Sequence, residues 1–255
     1  MIKRALISIY DKKGIIEFSK RLIDKGYEII STGGTYKHLT ENGIETIPVE
    51  DITKFPEILG GRVKTLHPAV FAVILADMTN PNHKEELLKH NLSDISLVVV
   101  NLYPFKETIS KTDVKIDEAI EQIDIGGVSL IRAAAKNYKS VDVLVSPGQY
   151  DEFFKNHDSE YSFNLAAKAF DYIAQYDIYI RDYFSLKATG QKPLSINVNS
   201  NMHLRYGENP HQQAKFYKTD FDEKFKVLHG KEISYNNMLD IDAAMTLMED
   251  FLDED

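Results

Sequence analysis

The chain has 255 residues, a formal net charge of −9 and no cysteine. Its length allows one large domain, or one domain with part of another. The acidic balance argues against a nucleic-acid binder, and the missing cysteine excludes disulfides and thiolate chemistry. No apolar run approaches transmembrane length, and the run Ala5 to Tyr10 is too short for a signal-peptide core. A cytoplasmic protein is therefore expected. Its cations, grouped in loops, point to a small anionic ligand.

Arg4 to Ile9 reads as a short buried strand, followed by the polar turn Tyr10-Asp11-Lys12-Lys13-Gly14. Ile15, Phe18, Leu22 and Ile23 recur at helical spacing up to Gly26. Tyr27 to Ile30 predicts a second strand, Ser31 to Thr35 a turn, and Tyr36 to Asn42 a short helix. Ile44 to Val49 predicts a third strand, completing a βαβαβ rhythm and hence a parallel sheet. Asp51 to Leu59 is a loop or short helix leading into Gly60-Gly61-Arg62-Val63-Lys64-Thr65-Leu66-His67-Pro68. The apolar run after it predicts a buried strand over Val70 to Leu75.

His83 to His90 reads as an exposed helix and Leu97 to Val100 as a β-branched strand. Ile116 to Ile123 and Val128 to Asn137 predict helices, separated by Asp124-Ile125-Gly126-Gly127. Val141 to Val145 is a further strand. Leu165, Ala169, Tyr172, Ile173, Tyr176, Ile180 and Tyr183 form the apolar stripe of a long helix. Lys187 to Asn201 has no period and reads as a linker. Two short strands and a helix from Asp240 follow. The roughly fifty residues of this tail are marginal for an independent core.

Three features suit an anion. Ser31-Thr32-Gly33-Gly34-Thr35 lies between a strand and a helix, where amides and hydroxyls can cradle a phosphate. Ser8 and Lys12 flank the first strand's end, and Arg62, Lys64 and Thr65 add cations and a hydroxyl. The chain carries neither the P-loop nor the dinucleotide fingerprint. Tyr103, Asp124 and Lys136 suit proton and oxyanion handling. Each also has an ordinary reading, as a satisfied core hydroxyl, a helix cap and a solvated helix-end cation. On residue type alone, the ordinary readings of Asp124 and Lys136 outweigh the catalytic ones. The eight histidines are scattered without ligand spacing, so no metal is expected.

Arg62-Val63-Lys64-Thr65-Leu66-His67-Pro68, Asn101-Leu102-Tyr103-Pro104-Phe105, Gln122-Ile123-Asp124-Ile125-Gly126-Gly127 and Arg132-Ala133-Ala134-Ala135-Lys136-Asn137 occur in that order. On these strings the whole chain resembles the bifunctional purine biosynthesis family that joins IMP cyclohydrolase to AICAR formyltransferase. The resemblance implies a methylglyoxal-synthase-like, three-layer α/β fold with a mainly parallel sheet, followed by a truncated second domain. Residues 1–195 would be the cyclohydrolase domain and 196–255 the opening of the formyltransferase domain. The tail strings Leu204-Arg205-Tyr206-Gly207-Glu208-Asn209-Pro210-His211-Gln212 and Leu228-His229-Gly230-Lys231 carry the second resemblance, with Arg205 and Tyr206 as its site remnant.

The reaction implied is closure of the purine ring of formyl-AICAR to IMP with loss of water. Carried over by motif, Lys64 would stabilise the oxyanion, Tyr103 would hydrogen-bond at the reacting centre, and Asp124 with Lys136 would handle the proton. Ser8, Lys12, Thr32, Gly33, Gly34, Thr35, Arg62, Thr65, Asn101, Ile125 and Gly126 would hold the nucleotide. Ring closure would need no cofactor. The formyltransferase half would use 10-formyltetrahydrofolate, and that activity is expected to be absent from this chain. The family is a homodimer. Tyr10, Lys13, Phe71 and Val73 depart from the family's usual Ser, Thr, His and Gly. Two other readings fit the same fold: a phosphate lyase of the methylglyoxal-synthase type, and a non-catalytic nucleotide-binding module.

Overall fold

The computed structural model describes residues 3–156, 158–195, 201–217, 225–249 and 251. The chain divides into two compact units, Met1–Pro193 and Leu194–Asp255. Among its described residues the first has five strands, β1 (Lys3–Ile9), β2 (Tyr27–Ser31), β3 (Ile47–Pro48), β4 (Leu97–Asn101) and β5 (Asp142–Leu144). They form one sheet in the order β3-β2-β1-β4-β5, parallel at every pairing. The chain builds outward from β1 to β3, then returns to the other side of β1 with β4. That reversal puts the topological switch point between β1 and β4, where ligands collect in such sheets.

The alternation of side chains along the strands supplies two apolar faces. Ala5, Ile7, Ile9, Leu97 and Val99 point into one core, shared with α1 (Ile15–Asp24) and α2 (Gly33–Glu41). There Phe18 of α1 stacks on Tyr150 at 4.3 Å. Leu6, Val98 and Val100 point into the other, larger core. This makes three layers: helices, sheet, helices.

After the short α3 (Val49–Thr53) comes α4 (Pro68–Leu75), then α5 (Pro81–Lys89), α6 (Phe105–Ile109) and α7 (Ile116–Ile120). α8 (Gly126–Lys136), α9 (Tyr150–Phe153) and α10 (Ser159–Thr189) complete the first unit. Ala133, Ala134 and Ala135 are all buried on α8 and let it approach its neighbours closely. α10 is capped by the Asp158 carboxylate, which accepts from Tyr161 N–H, and stops at Gly190 with φ 73°. Among the described residues, no helix is long and apolar enough to cross a membrane.

The structure corrects several expectations. Val70 to Leu75 is not a strand but the body of α4. His67 caps it through Nδ1, Pro68 takes its first turn, and Val70, Val73 and Ile74 are buried at helical spacing. The third strand shrinks from Ile44–Val49 to Ile47–Pro48. α2 begins at Gly33, inside the expected turn. The linker expected from Lys187 is helical through Thr189, and its residues 196–200 lie outside the described ones.

The second unit pairs β6 (Asn201–Leu204) with β7 (Ala214–Tyr217), antiparallel. Its helix α11 (Tyr235–Glu249) starts five residues before the expected Asp240.

Candidate active site

A cavity of about 640 Å³ opens at the C-terminal ends of β1, β2 and β4. Three loops that follow these strands form its floor, and the glycine loop before α4 forms one wall. On the β1–β2 side, Ser8 Oγ and Thr32 Oγ1 lie 3.0 Å apart. α2 begins directly after Thr32; the amides of Thr35 and Tyr36 donate to the Thr32 carbonyl at 3.0 Å each, whereas those of Gly33 and Gly34 have no acceptor within the helix. Lys12 adds a cation, its Nζ donating to the carbonyls of Ile9 and Tyr10 at 3.4 and 3.3 Å. Burial holds the Lys12 ammonium pKa below its ordinary value, against the opposing pull of Asp11.

Thr35 and Asn101 sit in the same cavity, but their polar atoms bind the backbone. The Thr35 hydroxyl donates to Ile9 C=O at 2.8 Å and accepts from Ile9 N–H at 3.1 Å. Asn101 Oδ1 accepts from the amides of Tyr10 and Asp11 at 2.6 and 2.9 Å, and its Nδ2 donates to Asp11 C=O at 2.9 Å. These two side chains clamp the loop after β1 and so fix where Ser8 and Lys12 stand.

In the glycine loop, Ile58 and Val63 pair across a tight turn. Leu59, Gly60 and Gly61 all have positive φ there, at 56°, 64° and 94°. The turn aims Lys64 inward. Its Nζ lies 3.2 Å from Glu57 Oε2. A Cβ on Gly61 would stand 2.9 Å from Lys64 Cε, and one on Gly33 2.6 Å from Lys64 Nζ. The two glycines thus form the slot that Lys64 occupies. Glu57 was not singled out from sequence. The clue was available, because a half-buried ammonium needs a partner. Arg62 points outward and pairs with Glu121 on the rim. Thr65 is buried, and a Cβ on Gly126 would come within 3.2 Å of its hydroxyl oxygen.

Opposite stand Tyr103 and Asp124. Tyr103 is partly exposed, with Tyr10 edge-on at 6.0 Å between ring centroids. The Asp124 carboxylate accepts from Gly127 N–H at 2.6 Å and from the backbone N–H of Tyr103. Burial raises its pKa above the usual carboxylate value; those two hydrogen bonds and the charge of Lys64 pull the other way. Gly127 must lack a side chain, since a Cβ would stand 2.5 Å from Asp124 Oδ2. Asp124 is not the N-cap of α8, which is Ile125, but lies one residue before it, holds the Gly127 amide of the first turn and also faces the cavity.

Ile125 lines the cavity with its exposed side chain. Lys136 does not join it. It is exposed at the far end of α8, about 15 Å along the helix from Gly126. Val73 and Phe71 belong to the larger core rather than the cavity, whereas Tyr10 is part of its wall. Arg205 and Tyr206 lie in the second unit, where Arg205 Nη2 donates to Tyr206 Oη at 3.2 Å. Hydrogen bonds from Ser234 and Arg205 lower the Tyr206 phenol below its ordinary pKa.

Residues 14–129 match the MGS-like domain family and residues 134–255 the AICARFT/IMPCHase bienzyme family. The chain is 52% identical to the bifunctional purine biosynthesis protein PurH of Caldicellulosiruptor bescii, over 98% of this chain and 52% of that protein. It is 49% identical to the protein of that name from Oenococcus oeni, over 99% of this chain and 52% of that one. This chain belongs to the PurH family. It spans about half the length of these PurH relatives. The crystal structure of ForH aligns with a TM-score of 0.67 at 30% identity, over 73% of this chain and 98% of that one. The MGS-like family match covers the cavity lining from Thr32 to Gly127, while Ser8, Ile9, Tyr10 and Lys12 lie just before it.

Proposed function

We propose that the first unit is an IMP cyclohydrolase that closes the ring of formyl-AICAR. One observation carries this reading: an ammonium, Lys64, and a half-buried carboxylate, Asp124, line a single cavity and act on each other there, beside the hydroxyl and amide cradle of Ser8, Thr32 and α2. The volume suits a nucleotide-sized ligand.

In the reaction the carboxamide nitrogen attacks the formyl carbon within one molecule, so holding both groups in place supplies much of the rate. A C–N bond forms and the formyl oxygen becomes an oxyanion. Lys64 stabilises that charge. Asp124 takes the proton that the attacking nitrogen releases, and Tyr103 hydrogen-bonds at the reacting centre. The oxygen then leaves as water, with one proton from the attacking nitrogen and one from the former formamide nitrogen. Burial moves Asp124 toward the working pH of a base, which suits the role. Proton handling is assigned to Asp124 alone, because Lys136 stands away from the cavity.

Arg62, Lys12, Ser8, Thr32, Gly33, Gly34, Thr65, Ile125 and Gly126 are proposed to hold the nucleotide, and Thr35 and Asn101 to shape the loop that does so. For the second unit we propose the opening of a formyltransferase domain, with Arg205 and Tyr206 as its site remnant and no formyl transfer by this chain itself. The test is conversion of formyl-AICAR to IMP, followed by absorbance, in the wild type and in Lys64→Ala and Asp124→Asn. Loss of turnover in both variants is expected. Equal turnover in all three, or nucleotide binding without turnover in the wild type, overturns the reading.

A further inference from the structure

We propose that Tyr172 and Tyr176 are positioning residues for ring closure, suspending the loops that carry Tyr103 and Asp124 from one face of α10. The proposal rests on the cyclohydrolase reading above. Residues four apart project from the same side of a helix. Tyr172 Oη accepts the backbone N–H of Leu102, the residue before Tyr103, at 3.0 Å. Tyr176 Oη accepts the N–H of Asp124 at 2.8 Å and donates to the Gln122 carbonyl at 2.6 Å.

Neither loop has a regular ladder at these points. β4 ends at Asn101, α7 ends at Ile120, and α8 opens at Gly126. Their backbone groups must find partners elsewhere. They find them on one long, capped helix. The link from Tyr103 N–H to the Asp124 carboxylate closes the circuit between the two loops. The Tyr176 ring is itself fixed, 7% exposed and edge-on to Phe105 at 6.2 Å. Burial raises both phenols, Tyr176 to about 12, so their hydroxyls stay protonated and act as ties rather than acids.

The ties decide how deeply Asp124 is buried. Lys64 acts on it from the glycine loop, and Tyr172 and Tyr176 face it from α10. Arg62 and Glu121 stand on the cavity rim, and Glu107 and Asp177 act on the two tyrosines. With the Tyr176 hydroxyl removed, the loop relaxes toward water and Asp124 titrates closer to an ordinary carboxylate. A purely structural role would reduce folded protein and leave that titration where it is.

The experiment measures kcat and KM for formyl-AICAR against pH in the full chain, with melting curves, for Tyr172→Phe, Tyr176→Phe and Tyr183→Phe. Tyr176→Phe is expected to lower kcat about tenfold with little change in KM, and to move the acidic limb down by about half a pH unit or more. Tyr172→Phe should do the same more weakly. Tyr183→Phe, two turns further along the same helix with a buried hydroxyl that has no partner, should change neither. A wild-type limb and kcat in Tyr176→Phe overturn the proposal, as does an equal effect from Tyr183→Phe. Should Tyr176→Phe not fold, Tyr172→Phe carries the same test. If the wild type itself does not turn over, the cyclohydrolase reading fails on its own. The ties are then judged by carboxyl NMR titration of Asp124. A lower midpoint in the Tyr→Phe variant supports them and an unchanged one overturns them.

Discussion

A Cβ on Gly33 would stand 2.6 Å from Lys64 Nζ, although Gly33 opens α2 and Lys64 belongs to the glycine loop before α4. Gly33 also has φ 42°, where an L side chain is strained. Gly33→Ala therefore has two effects. The backbone strain costs about 1 kcal/mol or more of stability. The methyl group also pushes the ammonium out of its slot, so turnover of formyl-AICAR falls by about tenfold or more. Melting curves and steady-state rates check this, and a variant with wild-type kcat would show that the slot does not place Lys64.

Gly34→Ala separates binding from folding. A Cβ there meets nothing within 4 Å, and its φ is not positive. Inside α2 the substitution should leave stability unchanged or raise it by up to about 1 kcal/mol. If a phosphate lies against the amides of α2, the added methyl raises KM several-fold while kcat holds. An unchanged KM would move the phosphate away from this helix end.

The parallel sheet and the ligand edge were legible because periodicity and turn residues agree there. Ile15, Phe18 and Leu22 announce α1, and Leu97 to Val100 announce β4. α4 was not. Its eight residues are all apolar, and an unbroken apolar run has no period to distinguish helix from strand. The deciding signal is at its start, His67 as cap and Pro68 in the first turn. The candidate site was legible as a set of residue types, but not in its division of labour. Thr35 and Asn101 look like ligand groups in sequence, yet their hydrogen bonds go to Ile9, Tyr10 and Asp11. Tyr172 and Tyr176 look like core stripe, and only the fold shows where their hydroxyls reach. Lys136 lies ten residues beyond Gly126, and the intervening helix carries it away.

Asp124 gives a pH prediction whose sign is fixed by burial. Its folded-state pKa is raised, so the folded chain keeps the proton where the unfolded chain has released it. The stability this provides is fully present below the ordinary carboxylate value of 3.8 and is lost as pH rises through the raised value. Asp124→Asn cannot lose it. The melting temperature of the variant minus that of the wild type should therefore increase as pH rises from about 4 through the raised value. A difference that is flat or falls with pH would mean that Asp124 is not desolvated in the folded protein.

Glu121 pairs with Arg62 at the cavity rim, and both side chains are more than half exposed. An ion pair so exposed contributes between zero and about 1 kcal/mol, so Glu121→Gln should barely move the melting temperature. Its expected effect on binding is larger. If a nucleotide phosphate binds at Arg62, as proposed, it must displace or share the Glu121 carboxylate, which also repels it. Removing the charge frees the guanidinium fork for the ligand. Nucleotide should bind several-fold more tightly to Glu121→Gln than to the wild type, by calorimetry at low salt. The gain should shrink as salt is added, because both charges are solvent-exposed. Weaker binding would place Arg62 outside the nucleotide site and make its pairing with Glu121 a structural contact.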